Sequence, residues 1–382
     1  MNRLRRLRDA GVSIWLDTLS RDLLDSGTFS RLVAECEVSG ATSNPTIFAK
    51  AIAGSNRYDG PLGRAVASGA GDPQELFFRL ALDDVRRAAD LLRAAHDASA
   101  GRDGFVSFEC TPDLADDTAA TIAQALELWH RLARPNVMIK VPATEAGVPA
   151  IEELTARGVN VNVTLLFSLA RYEHVVDAYI TGLERRLAAG EPVDRIASVA
   201  SFFISRVDAK ADALLPEDSG LRGRVAIANA HHAYRRYRQR FAGERWSVLG
   251  DAGARSQRPL WASTATKNAS YSDVRYVEEL IAPDVISTMP EATLRAFADH
   301  GDATRRIGER TGLDALGRAT DAGLDLEAIA SALEREGVDS FCDSYRTLLA
   351  SITARMRRCA ASPSPAPTAS RSPARPTPGR SR

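Results

Sequence analysis

Lysine is scarce in this chain of 382 residues. Only four lysines occur among the forty-nine basic residues, so arginine supplies the other forty-five. Arginine is therefore the default cation, and each remaining lysine is a candidate for a role that arginine does not perform. A desolvated lysine amine can lose its proton and attack a carbonyl carbon to form a Schiff base, whereas a guanidinium group stays charged.

The sequence also lacks metal-binding cysteine motifs, long apolar runs and an excess of charge of one sign, and each absence argues against a class of protein. The four cysteines have no C-x-x-C spacing and no zinc-ligand pairing with the six histidines, so reduced thiols in a cytoplasm fit best. We also expect no metal and no organic cofactor, because in Schiff-base chemistry the imine itself serves as the electron sink. No apolar run approaches the roughly eighteen residues of a membrane span, and Met1 to Arg8 is not followed by the apolar core of a signal peptide. The net charge is zero, which argues against nucleic-acid or membrane-surface binding.

Eight short apolar runs alternate with helical patterns in the body of the chain. This alternation predicts a (β/α)8 TIM barrel, a single catalytic domain with additional helices over residues 1–358. A doubly wound open sheet is the alternative fold, but no G-x-G-x-x-G or P-loop motif follows any run. The runs are Val12 to Asp17, Gly40 to Asn44, Gly104 to Glu109, Asn136 to Pro142, Val159 to Leu165, Ala197 to Phe202, Pro259 to Thr264 and Asp284 to Met289.

The composition changes near the end of the chain. Residues 360–382 are rich in serine, proline and arginine and contain no acidic residue. Such a composition cannot bury enough apolar surface to fold, so we expect this tail to be disordered and assign it no function.

Lys140 lies within the fourth apolar run, Asn136 to Pro142, which is typical of a buried strand. A lysine in a strand can also extend its amine to water while its stem packs, and for a lone lysine this is the commoner case. The residues at the other strand ends therefore decide between the two interpretations.

Polar side chains close almost every run. In a barrel the carboxyl ends of the strands converge on one face, so these residues become neighbours. An amine flanked by two carboxylates fits Schiff-base aldol chemistry, because two separate proton transfers are needed. Cations after the sixth and seventh strands fit a phosphate group. The candidates are Asp17, Asn44, Glu109, Lys140, Asn162, Thr164 and Ser201, with Arg206 and Lys267 as the cations.

The motifs in these segments resemble those of the transaldolase family, in particular its longer bacterial branch. They are Ser43-Asn44-Pro45-Thr46-Ile47-Phe48, Ile139-Lys140-Val141-Pro142-Ala143-Thr144, Asn160-Val161-Asn162-Val163-Thr164-Leu165-Leu166-Phe167-Ser168 and Trp261-Ala262-Ser263-Thr264-Ala265-Thr266-Lys267-Asn268. The resemblance covers about residues 10–355. It implies transfer of a dihydroxyacetone unit from sedoheptulose 7-phosphate to glyceraldehyde 3-phosphate, which gives erythrose 4-phosphate and fructose 6-phosphate in the pentose phosphate pathway.

The resemblance also implies a role for each matching residue. Lys140 would form the Schiff base, Asp17 would act on the C4 hydroxyl, and Glu109 with Thr164 would hold a catalytic water. Asn44 and Asn162 would bind the donor hydroxyls, while Ser201, Arg206 and Lys267 would bind phosphate. Phe203 is the residue type that the resemblance leads one to expect in a transaldolase, since the related fructose 6-phosphate aldolases tend to have tyrosine at this position. Lys267 replaces an arginine of shorter relatives, and Ala265 stands where this branch often has glycine.

Two alternatives to a transaldolase stay open. One is a class I aldolase that cleaves a ketose phosphate without transfer, and the other is a non-catalytic barrel that binds sugar phosphates. A homodimer is compatible with the chain. Lys50 and Lys210 are interpreted as ordinary helix or loop cations.

Overall fold

A computed structural model describes residues 2–305, 307 and 313–361. Eight parallel strands close into a barrel in which each strand pairs with the next along the chain and β8 pairs with β1. The (β/α)8 prediction is therefore confirmed, and each of the eight runs overlaps one strand, with ends that differ by up to two residues. The strands are β1 Val12–Leu16, β2 Val38–Thr42, β3 Phe105–Glu109, β4 Val137–Pro142, β5 Val161–Leu166, β6 Ser198–Phe203, β7 Arg258–Ala262 and β8 Val285–Met289.

Sixteen α-helices occur in the described ranges. They are α1 Arg3–Asp9, α2 Arg21–Asp25, α3 Thr28–Glu35, α4 Pro45–Gly54, α5 Asp59–Ala67, α6 Pro73–Ala98, α7 Thr118–Leu132, α8 Gly147–Ala156, α9 Leu169–Ala188, α10 Ile204–Leu214, α11 Val225–Arg240, α12 Glu244–Asp251, α13 Arg275–Glu278, α14 Glu291–His300, α15 Leu313–Asp321 and α16 Leu326–Ala361. Within those ranges, no helix is both long and apolar enough to cross a membrane.

Local sequence explains where several of these helices begin. The side chain of Asn44 accepts a hydrogen bond from the backbone N–H of Ile47, and Pro45 occupies the first turn of α4, where its missing N–H costs nothing. Asp117 caps α7 and Ser168 caps α9 in the same way. Because α4 follows β2 directly, its cap fixes Asn44 at the carboxyl end of the barrel.

The interior of the barrel contains a separate apolar cluster toward its amino-terminal half. Trp15, Phe105 and Met138 belong to it and are almost completely buried. Gly40 leaves room for the Trp15 ring, since a Cβ atom at residue 40 would lie 2.5 Å from ring carbons. This cluster fills the interior of the barrel, so the polar residues at the carboxyl ends of the strands lie next to apolar side chains.

The longest helix, α16, runs over the carboxyl end of the barrel. The hydroxyl of Ser344 on α16 lies 2.7 Å from that of Thr46 on α4. Gly337 packs so closely that a Cβ there would lie 2.8 Å from Leu165 Cδ2 at the end of β5. This helix includes residues 360 and 361 of the tail predicted to be disordered, and the rest of that tail lies outside the described residues.

Candidate active site

Lys140 lies on β4 between two polar neighbours on adjacent strands. The strand register pairs it with Glu109 on β3 and with Asn162 on β5. The lysine is only 6% exposed, so its amine does not extend to bulk water as a surface lysine does. Its Nζ donates a hydrogen bond to the carbonyl oxygen of Ser43 at 2.8 Å and lies 3.8 Å from Glu109 Oε2.

Glu109 is a carboxyl group in an unusual setting. Its pKa is raised to about 7, mainly by burial; the nearby Lys140 cation opposes this shift, and the charge of Asp17 adds to it. Neither carboxyl oxygen has a hydrogen-bond partner among the described residues, and the same holds for the buried hydroxyl of Thr164. Glu109, Lys140 and Thr164 border one small cavity. Unsatisfied polar atoms around a small cavity are the setting in which a bound water is expected.

Asp17 follows the end of β1, where two threonines position it. Thr42 donates a hydrogen bond from its hydroxyl to Asp17 Oδ1 at 2.8 Å. The hydroxyl of Thr42 also lies 2.9 Å from that of Thr288 on β8. The carboxylate is thus held at the carboxyl end of the barrel, in the same pocket as Lys140.

A buried hydrogen-bonded chain links three strands beside Lys140. Ser201 on β6 donates to Asn162 Oδ1 at 2.7 Å, and Asn162 Nδ2 donates to the hydroxyl of Ser107 on β3 at 2.9 Å. Because both ends of its amide are engaged, the orientation of Asn162 is fixed. Its location beside Lys140 agrees with the sequence prediction, but its two partners could not be read from strand alternation.

The predicted residues converge on one pocket of about 290 Å³. Eight of the ten border it directly, Glu109 borders the adjoining small cavity, and Asn162 is linked through Ser201. The eight are Asp17, Asn44, Lys140, Thr164, Ser201, Phe203, Arg206 and Lys267. No group of three or more histidine, cysteine, aspartate or glutamate side chains in the described ranges could hold a metal ion.

The cations of the pocket have no acidic partner. Within the described chain, Arg206 and Lys267 make no salt bridge or hydrogen bond, and the Arg206 guanidinium lies 5.4 Å from the centre of the Phe203 ring. Burial lowers the pKa of Arg206, while Asp17 and Glu336 oppose the shift. An unpaired guanidinium and an unpaired amine in one pocket can both bind an anionic group.

Lys50, interpreted from the sequence as an ordinary helix or loop cation, is an exposed residue of α4 that also lies at the pocket. Its side chain borders the pocket from α4, one helical turn after Thr46, and it also lacks an acidic partner in the part of the chain described. Lys210, in contrast, pairs with Glu336 on the surface. Three of the four lysines therefore border the same pocket. Lys50 was missed because an exposed helical lysine carries no distinctive sequence signal, although its spacing from Asn44 could have indicated it.

Phe341 is a second residue that the sequence did not indicate. It projects from α16 and borders both the main pocket and the small cavity next to Glu109. The backbone is also strained nearby, since Leu165 and Ser263 have φ angles of 54° and 55°. Neither feature has a local sequence signature, because both depend on how distant elements pack.

Comparison with known proteins agrees with this geometry. The family model described as Transaldolase/Fructose-6-phosphate aldolase matches residues 14–352. The chain belongs to this family. It is 48% identical to a transaldolase of Saccharopolyspora erythraea over 362 residues, which cover 91% of this chain and 96% of the relative. It is 49% identical to transaldolase 1 of Streptomyces coelicolor, with 92% and 94% covered, and 47% identical to a transaldolase of Frankia alni, with 94% and 98% covered.

Membership of the transaldolase/fructose-6-phosphate aldolase family narrows the chemistry to two related reactions on carbonyl sugars. The chain is an enzyme, and its likeness to transaldolases over more than nine-tenths of its length supports a transferase. A buried amine, two separate carboxyl groups and unpaired cations are the groups that such a reaction needs.

Proposed function

We propose that this chain is a transaldolase that works through a Schiff base on Lys140. It transfers a dihydroxyacetone unit from sedoheptulose 7-phosphate to glyceraldehyde 3-phosphate in the cytoplasm. The observation that carries the proposal is a buried lysine with a buried glutamate 3.8 Å from its amine, in a pocket bordered by unpaired cations. The four free cysteines are consistent with a reducing compartment.

Schiff-base formation begins when the neutral amine of Lys140 attacks C2 of the ketose. The resulting carbinolamine then loses water to give the imine, and both steps need protons to be moved. Glu109 can carry out these transfers through a water held with Thr164, since a pKa of about 7 makes both its protonation states accessible near neutrality. The same pair can later direct water to the imine for product release.

Cleavage of C3–C4 follows from loss of the C4 hydroxyl proton to Asp17. The C3–C4 electron pair moves toward the imine nitrogen and gives an enamine on Lys140, while C4 leaves as the carbonyl carbon of an aldehyde. The enamine carbon then attacks the acceptor aldehyde, and Asp17 returns the proton to the new alkoxide. Hydrogen bonding from Thr42 positions the Asp17 carboxylate for both steps.

The unpaired cations suit the phosphate that both aldehydes carry. The dihydroxyacetone unit that stays on Lys140 has no phosphate, so one anion site serves the leaving aldehyde and the incoming one. Arg206 and Lys267 are proposed to bind this group, together with Lys50 from α4. Arginine can contact phosphate with two parallel hydrogen bonds, and lysine acts as a point charge.

Trapping of the intermediate tests the covalent step. Incubation with fructose 6-phosphate and borohydride should add one reduced three-carbon unit to Lys140, located by peptide mass spectrometry. Labelling at Lys50, Lys210 or Lys267 instead would contradict the proposal. Lys210→Met is the matched control, since this residue is surface-exposed and paired with Glu336. It should be labelled as efficiently as the parent.

Two further measurements separate the alternatives. Consumption of fructose 6-phosphate without an acceptor aldehyde would indicate an aldolase that releases dihydroxyacetone. Ligand binding without turnover, unchanged in Lys140→Ala, would indicate a barrel that only binds sugar phosphates. Removing residues 362–382, which follow α16, is expected to leave the transfer activity intact.

A further inference from the structure

A second cavity lies at the opposite, amino-terminal end of the barrel. Its volume is about 590 Å³, and it shares no bordering residue with the catalytic pocket or the small cavity beside it. Phe105, Met138 and Val199, each the first or second residue of its strand, reach it from the barrel interior. A cavity of this size can hold a small organic molecule.

The charged groups around this cavity are unbalanced. Four arginines border it, namely Arg102, Arg238, Arg255 and Arg258, against one carboxylate, Asp284. Arg102 pairs with Asp284 at 2.7 Å. The other three arginines make no salt bridge within the described chain. Three of the four arginines therefore border the cavity without a salt bridge. The carboxylates that affect their pKa values, Asp103, Asp194 and Asp284, lie beyond salt-bridge distance of them.

Backbone carbonyls, rather than carboxylates, hold two of these guanidinium groups. Arg255 donates to the carbonyl oxygens of Ala100 and Gly101 at 3.0 and 2.8 Å. Arg258 donates to the carbonyl of Arg102 at 2.9 Å. Carbonyls fix the orientation of the groups but do not neutralise them, and burial lowers the pKa of both. An anion in the cavity would add a negative charge in direct contact with these guanidinium groups, which no carboxylate of the described chain provides.

The remaining border of the cavity is largely aromatic and apolar. Tyr237, Phe241 and Trp246 form a row in which the Tyr237 and Phe241 ring centres are 5.3 Å apart and those of Phe241 and Trp246 are 4.7 Å apart. Trp15 and Phe105 border it from the barrel interior. A ligand that fits both sets of groups combines a flat apolar ring with an anionic group.

We propose that this cavity binds a nucleoside monophosphate, with its base among the aromatic side chains and its phosphate against Arg238 and Arg255. The site is separate from the proposed transaldolase chemistry and does not rest on it. The alternative is that the arginines only fasten loops at the base of the barrel. In that case no ligand would bind here.

Calorimetric titration of the full chain with AMP tests this proposal. We expect saturable binding that a saturating concentration of fructose 6-phosphate, the sugar phosphate proposed to bind at the opposite end of the barrel, does not displace. Adenosine and inorganic phosphate, each titrated alone, should bind at least about tenfold more weakly because each makes only part of the contacts. Absence of saturable AMP binding, equal binding of phosphate alone, or displacement by fructose 6-phosphate would each overturn the proposal.

Two variants on the same helix locate the site. Arg238→Gln removes an exposed cation that makes no backbone contact, and it should weaken AMP binding about tenfold. Arg236→Gln is the matched control, because Arg236 lies on the same helix but pairs with Glu173 and does not border the cavity. Equal AMP affinity for the two variants would assign the binding to another part of the molecule.

Discussion

Cations border cavities at both ends of the barrel, but their partners differ. At the carboxyl end, Lys50, Arg206 and Lys267 have no hydrogen-bond or acidic partner in the described ranges. At the amino end, Arg255 and Arg258 donate to several backbone carbonyls. N–H donors without a partner can reorient toward a substrate that enters and leaves. N–H donors that are hydrogen-bonded to backbone carbonyls keep one orientation. The positive charges at the two ends therefore suit different proposed roles, substrate turnover at the carboxyl end and a fixed binding site at the amino end.

The largest expected effect concerns the nucleophile. Lys140→Met should reduce kcat by more than about 10⁴-fold, because no other amine adjoins Glu109 in the described chain. Thermal unfolding should change little, since methionine fills a similar volume. Activity assays and melting curves on the same preparation check both statements. Substantial residual turnover by the Lys140→Met variant would mean that the reaction does not proceed through a Schiff base on Lys140.

Glu109→Gln should reduce kcat by about 10²-fold and change the pH profile. In the proposed mechanism the ionised carboxylate of Glu109 is the form that activates water for imine hydrolysis. Since its pKa is raised to about 7, activity should fall as the pH decreases through 7. This decrease should be absent in the variant, which has no titrating group at residue 109. An unchanged profile would assign the ionisation to another residue.

A substitution at the amino-terminal half should change stability without changing chemistry. In Gly40→Ala the new methyl group would overlap the Trp15 ring, so we expect a loss of about 1–3 kcal/mol in the free energy of unfolding. Denaturant titration measures this loss, and kcat for transfer should match that of the parent. A large decrease in kcat would show that the apolar cluster around Trp15 is coupled to the catalytic pocket, although the two share no residue among Trp15, Phe105 and Met138.

The smallest expected effect concerns Lys50. Lys50→Met should raise KM for glyceraldehyde 3-phosphate about tenfold through loss of one charged contact and leave KM for unphosphorylated glyceraldehyde unchanged. Lys210→Met, which alters the lysine paired with Glu336, is the control and should change neither KM. Equal changes in KM for both acceptors would show that Lys50 does not contact phosphate.

Sequence periodicity was sufficient for the barrel and for most of the candidate site. Strands of a closed parallel barrel are buried on both faces. Their apolar runs and polar ends can therefore be recognised in the sequence without knowing which strands pair. Asp17, Glu109 and Lys140 were found in this way. The sequence did not predict that Lys50 and Phe341 border the pocket, because a side chain on a helix reaches the pocket only when that helix packs against the barrel. Hydrogen bonds such as that from Thr42 to Asp17 depend on contacts between strands and have no local signal.

The long final helix has a consequence for when the enzyme becomes active during its synthesis. Asp17 is made near the start of the chain, whereas Phe341, which borders the same pocket, is made near its end. A chain synthesised as far as the end of β8 still lacks this border of the pocket. The proposed nucleophile Lys140 is therefore synthesised before α16, and the pocket around it is complete only after that helix has packed.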